Sequence, residues 1–186
     1  MLTAYGTAGG GHDDQHAGAG AGWLPRKAPD FRLIDQTGKG FHLEHLKGKA
    51  ALITFLYTNC TTVCPILMTK FLGIQKALEN RVGRDLRFVT ITVDPERDTP
   101  KELRRFAAKW KVGPPGWTFL TGSPKEIARV AKDYGVAYRK LSDGEIEHSN
   151  ITFLVDRKGM LKSAYRLTAS TDQMAAEIQM ILLEQP

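Results

Sequence analysis

Residues 50–65 run Ala50-Ala51-Leu52-Ile53-Thr54-Phe55-Leu56-Tyr57-Thr58-Asn59-Cys60-Thr61-Thr62-Val63-Cys64-Pro65. The first eight are apolar but for one threonine, which predicts a buried strand. Pro65 then opens a helical pattern reaching Leu78, because proline at a helix's first position loses no backbone donor. Between strand and helix lie Cys60 and Cys64, the only two cysteines of the chain. Four apart, on one helical turn or in a tight loop, their β-carbons stand about 5–6 Å from each other. Both sulfurs can then grip one ion, and a modest rearrangement reaches disulfide geometry. Free amides and the positive helix end predict a lowered pKa for Cys64. Two small buried hydrophobes would not account for both thiols falling in one loop, so the pair reads as redox or metal chemistry.

Outward from that stretch, strands and helices alternate. Phe31–Asp35 and Gly40–Leu43 flank a Gly38 turn and predict a small hairpin. Leu86–Val93 is a second central strand, alternating and β-branched. Thr99-Pro100-Lys101-Glu102 and Ser123-Pro124-Lys125-Glu126 are helix starts, with a hydroxyl cap, proline next and glutamate three on. Trp117–Leu120 and Val136–Lys140 read as short strands. Ile151–Asp156 pairs with Met160–Arg166 across Arg157-Lys158-Gly159, and Ser170-Thr171-Asp172 caps a last helix to about Leu183. The expectation is an α/β, three-layer fold: a central mixed sheet flanked by helices, with an N-terminal β-hairpin.

Composition bounds the rest. The 186 residues, 42% hydrophobic, suffice for one core, read as a domain over 23–186. Residues 1–22 are rich in Gly, Ala and His and read as a flexible tail or linker; His12 and His16 in it suit only adventitious metal capture. Lys+Arg 26 against Asp+Glu 20 gives a mild net charge of +6. No basic block interleaves with aromatics, so nucleic-acid binding is set aside. No run approaches the roughly 18 apolar residues of a membrane span, and 1–22 lacks the basic start and apolar run of a signal peptide. The chain reads as a soluble piece.

Three motifs in order resemble the Sco/SenC family of membrane-anchored, thioredoxin-like copper proteins. They are C-x-x-x-C-P at Cys60–Pro65, Val93-Asp94-Pro95-Glu96-Arg97-Asp98-Thr99-Pro100, and Glu147-His148-Ser149 before Phe153-Leu154-Val155-Asp156. The resemblance covers about Pro29 to Leu183. It implies a copper site of Cys60, Cys64 and His148, with Asp94 near the metal as an acid influencing copper loading. Two thiolates and an imidazole suit Cu(I), and hold Cu(II) with a further ligand; structural zinc would want a fourth protein ligand. Asp94 falls at the C-terminal end of a central strand, where open α/β sheets place their sites. Asp98 and Arg97 read as loop and helix-entry structure, and His42 and His45 as surface residues. Many family members carry an acidic residue between the cysteines; here Thr61, Thr62 and Val63 are neutral, which bears on affinity, potential and partner recognition.

The resemblance further implies a copper metallochaperone for the dinuclear copper centre of cytochrome c oxidase or a similar cuproenzyme. Its partners would be the copper-site subunit, other copper carriers and thiol reductants. It would act on the periplasmic side of the inner membrane, through a tether this chain lacks. The alternative is enzymatic: Cys60 and Cys64 as the redox pair of a thiol–disulfide reductase that keeps cuproenzyme cysteines reduced. The C-x-x-x-C spacing, and no proline just before the Ile151 strand, separate the chain from ordinary thioredoxins. A peroxiredoxin-type peroxidase fits Thr61-Thr62-Val63-Cys64, but lacks the proline expected at Tyr57.

Overall fold

The computed structural model describes residues 25–184; the stretch 1–22, with His12 and His16, lies outside them. In chain order the strands and helices are β1 (Arg26–Lys27), β2 (Arg32–Asp35), β3 (Gly40–His42), a 3-10 turn (Leu43–Leu46), β4 (Ala50–Leu56), α1 (Val63–Ala77), β5 (Leu86–Thr92), α2 (Pro100–Lys109), β6 (Trp117–Thr121), α3 (Pro124–Asp133), β7 (Tyr138–Lys140), β8 (Ile146–His148), β9 (Ile151–Val155), β10 (Met160–Arg166) and α4 (Thr171–Leu183). Eight strands form one mixed sheet in the order β1-β10-β9-β4-β5-β6-β2-β3.

β4 is buried along its whole length. It pairs in parallel with β5 and antiparallel with β9, and a strand covered on both faces needs a continuous apolar run rather than an alternating one. On one face, Phe71 of α1 and Phe106 of α2 meet Phe88, Trp117 and Phe119; the Phe88 and Trp117 rings stack at 4.4 Å. On the other, Tyr134 at the end of α3 packs on Phe31, Phe55 and Phe153. Each such buried aromatic is worth about 1.5–3 kcal/mol by removal from water. α4 lies against α1, close enough that a β-carbon at Gly73 would sit 3.2 Å from the Thr171 methyl. These are the three layers the sequence predicts.

The β2–β3 hairpin forms in the register Arg32↔His42, and Ser123 and Glu126 make both halves of their capping box at 3.3 and 2.7 Å. Three expectations shift. α1 begins at Val63, two residues before Pro65; proline is still harmless there, because first-turn amides have no partner within the helix. Val136–Lys140 contracts to β7, which leaves the main sheet and pairs with β8 in a separate two-stranded ribbon. Ser170 stands at the N-cap of α4 but makes no side-chain cap bond. Among the described residues no helix is long and apolar enough to cross a membrane.

Candidate metal centre

β4 delivers the chain to the cysteines. Beyond Leu56, Tyr57 remains buried at 2% exposure, its carbonyl accepts from the Cys60 N–H at 3.3 Å, and the turn leads into α1. Both cysteines are free thiols. Cys64 lies in the first turn of α1 at 1% exposure, and Cys60, also buried, is slightly more open at 9%. The Cys64 N–H points at Cys60 Sγ, 3.4 Å away.

This geometry splits the pair electrostatically, in the opposite sense from the expectation. Burial alone would raise the Cys60 thiol, but the Cys64 thiol and the amides of Cys64, Thr62 and Val63 point at its sulfur and draw its pKa below the ordinary thiol value. Burial pushes Cys64 far up, and its hydrogen bond to Cys60 adds to this, as does the negative charge of Asp98. The helix N-terminus therefore acts on the sulfur its amides face, Cys60, rather than on the cysteine inside the helix. Cys60 is therefore the more acidic thiol of the pair, and Cys64 the one that holds its proton more firmly.

His148 ends β8. Its ring meets the Tyr57 ring edge-on, with centroids 6.1 Å apart, so the ribbon stands beside the turn that leads to Cys60. Nδ1 lies 3.2 Å from the Ser149 carbonyl, which can only accept, so Nδ1 carries the proton and the Nε2 lone pair is free. Burial lowers the His148 pKa despite that carbonyl, keeping the ring neutral. Among the described residues, the donor atoms of Cys60, Cys64 and His148 do not gather within 4.8 Å of one another; the trio that does is His42, Glu44 and His45.

The ribbon is held to the cysteine end by polar contacts. The Tyr57 hydroxyl donates to Glu145 at 2.5 Å and accepts from the Ile146 N–H at 3.3 Å. Arg97 donates to the Gly144 carbonyl at 2.6 Å, and Lys140 pairs with Glu96 at 3.2 Å. Asp94, buried, is bonded to Arg97, so it reaches the ribbon through that guanidinium. The acid that reaches the cysteine turn is Asp98. Its carboxylate accepts from the Thr58 amide at 3.0 Å and from the Thr58 and Thr92 hydroxyls at 2.5 Å each. Burial raises the Asp98 pKa although all three donors oppose it. Nothing local in the sequence marks Asp98 over Asp94; only the path of the chain between β5 and α2 turns it toward Thr58.

A soft-metal set needs deprotonated sulfur, a neutral imidazole and no carboxylate competing for the ion. Cys60 is drawn toward the first condition by the amides at its sulfur and His148 toward the second by burial, and Asp94 and Asp98 are both engaged by protein donors. The family model for SCO1/SenC matches residues 24–183. The SCO1 protein homolog of Bacillus subtilis is 36% identical over 144 residues, covering 76% of this chain and 74% of that protein. Among solved structures, Bradyrhizobium japonicum ScoI with copper bound is 32% identical with a TM-score of 0.73, over 84% of this chain and 99% of that one. BsSco, a member of the Sco family of cytochrome c oxidase assembly proteins in which a disulfide switch is described, is 30% identical with a TM-score of 0.75, over 87% and 96%. The match across nearly the whole described fold, and over the turn carrying Cys60 and Cys64, makes this chain a member of the SCO1/SenC family.

Proposed function

We propose that this chain is a copper metallochaperone serving the dinuclear copper centre of cytochrome c oxidase or a similar cuproenzyme, with Cys60, Cys64 and His148 as ligands. The observation that carries the reading is the pair of free thiols at the end of β4, with the Cys64 N–H 3.4 Å from Cys60 Sγ and His148 beside Tyr57 on the adjoining ribbon. The copper bound to Bradyrhizobium japonicum ScoI supports copper as the cargo. Cys60 supplies the first sulfur, Cys64 gives up its proton as the metal arrives, and the ribbon swings inward until Nε2 completes the set. Transfer then proceeds by ligand exchange, partner thiolates replacing the two sulfurs in turn. Action on the periplasmic side of the inner membrane, through a membrane tether, rests on the family alone.

The test is titration of the reduced protein with Cu(I) and Cu(II), in the wild type and in His148→Ala. The variant is expected to bind copper at least about tenfold more weakly, with a changed Cu(II) spectrum. Unchanged affinity and spectra would remove His148 from the ligand set.

The same thiol pair supports a second reading, thiol–disulfide reduction. The Cys60 thiolate attacks a partner disulfide, forming a mixed disulfide and releasing one partner thiolate. Cys64, losing its proton, then attacks the Cys60 sulfur and releases the second. Two electrons pass to the partner, a Cys60–Cys64 disulfide remains, and an external thiol reductant must restore the pair. Fast reduction of a partner disulfide without copper favours this reading; tight copper binding by the reduced pair favours the first.

A further inference from the structure

A second group of metal-binding side chains lies where β3 runs into the 3-10 turn. His42 ends the strand in extended backbone (φ −119°, ψ 153°), and the turn brings Glu44 and His45 back beside it. The two imidazoles lie nearly parallel, 9° between planes, with centroids 5.2 Å apart. His42 Nδ1 is 3.2 Å from Glu44 Oε1, and the His42 N–H points at His45 Nδ1 from 3.3 Å. Each residue offers one donor atom with all three within 4.8 Å of one another, the one such trio among the described residues. In the order of the sheet, β5, β6 and β2 separate this strand from β4.

We propose that His42, Glu44 and His45 form a second, exposed cation site, chemically distinct from the thiol pair, that takes divalent copper through two imidazoles and a carboxylate. The donor set decides the class of ion. Nitrogen and oxygen suit divalent borderline metals rather than Cu(I), and for such ligands Cu(II) stands at the top of the first-row affinity order. The geometry requires little movement. Bonds of about 2.0–2.1 Å need donors no more than about 4 Å apart, and side-chain rotation at a half-exposed His42 and exposed Glu44 and His45 supplies the difference. The backbone of the turn is anchored by buried Leu46, and the His45 ring packs edge-on against Phe41, centroids 5.2 Å apart. A cation displaces the long amide contact to His45 Nδ1, its reciprocal from the His45 N–H to the His42 side chain, and the His42–Glu44 contact. With three protein ligands the ion keeps open positions for water, so it exchanges readily.

The experiment uses the full chain with Cys60→Ser and Cys64→Ser to remove the thiols, and His12→Gln and His16→Gln to silence the N-terminal histidines. Cu(II) titration followed by calorimetry and electron paramagnetic resonance is expected to give one equivalent coupled to two imidazole nitrogens. In that background His42→Gln/His45→Gln lowers affinity at least about tenfold and abolishes the two-nitrogen pattern. Glu44→Gln, which leaves both rings in place, weakens binding with the nitrogen couplings retained, and it serves as the deciding variant if the double substitution melts the turn. Cu(II) binding in the histidine variants with undiminished affinity and unchanged couplings overturns the proposal. So does a parent that captures no Cu(II) at micromolar concentration.

Discussion

Tyr57→Phe removes one oxygen from the contact between the β7–β8 ribbon and the cysteine end. The ring, 2% exposed, stays in place and keeps its edge contact with His148, so no cavity opens. What disappears is a charge-assisted bond to Glu145 and the acceptor for the buried Ile146 amide. Loss of such a bond is worth about 1.5–3 kcal/mol. Glu145 is half-exposed and regains water, which places the effect at the lower end, about 1.5 kcal/mol. At about 1.4 kcal/mol per factor of ten, the undocked ribbon becomes about tenfold more populated. The amides of Leu141 and Ser149, which donate to Glu145 and Ala137 within the ribbon, report this by hydrogen exchange, with Val89 in β5 as the internal control. About tenfold faster exchange at both, with Val89 unmoved, is the expected result. Protection within about threefold of wild type in a folded Tyr57→Phe protein would refute the reasoning, because the ribbon would then be held by something other than this hydroxyl.

Alkylation at neutral pH followed by mass spectrometry should label Cys60 first, since its pKa is lowered and that of Cys64 raised; faster labelling of Cys64 would reverse the assignment. Asp98→Asn leaves a single acceptor oxygen for three donors and is expected to destabilise by about 1–3 kcal/mol in urea titration. A raised midpoint would mean that relief of the buried charge outweighs those bonds. Burial holds the His148 imidazole below the ordinary histidine value, so the unfolded chain takes up that proton first as pH falls past about 6.5. Stability present above that pH is lost on descending to the folded value, and His148→Gln should flatten this segment of a melting-temperature series; an unchanged slope contradicts the burial argument.

What was legible beforehand was what is local. The run Ala50–Leu56 announces a strand covered on both faces, and Ser123 with Glu126 announces a helix start, because neighbours within a few residues decide both. The cysteine turn was legible as a site for the same reason. The ionisation order of its thiols was not. A helix N-terminus predicts a lowered Cys64, but the sulfur sits beneath the surface while the amides point at Cys60, and burial is decided by the packing of α1 rather than by the motif. Asp98 is similar: its role depends on Thr58 and Thr92 arriving from two other segments. The His42–His45 stack needs a 3-10 turn that the hairpin reading stops short of.

The ribbon of β7 and β8 shares no ladder with the eight-stranded sheet, and several of the contacts docking it involve formal charges on Arg97, Lys140, Glu96 and Glu145. The cysteine turn, by contrast, grows from a strand clamped by two neighbours inside an apolar core. Dissolved electrolyte weakens exposed charge pairs within about 8–10 Å screening lengths and leaves buried apolar contacts nearly untouched. The cysteine turn is therefore held firmly by its core, while the docking of the ribbon softens with ionic strength. The surrounding medium thereby sets how readily His148 and its ribbon part from the turn.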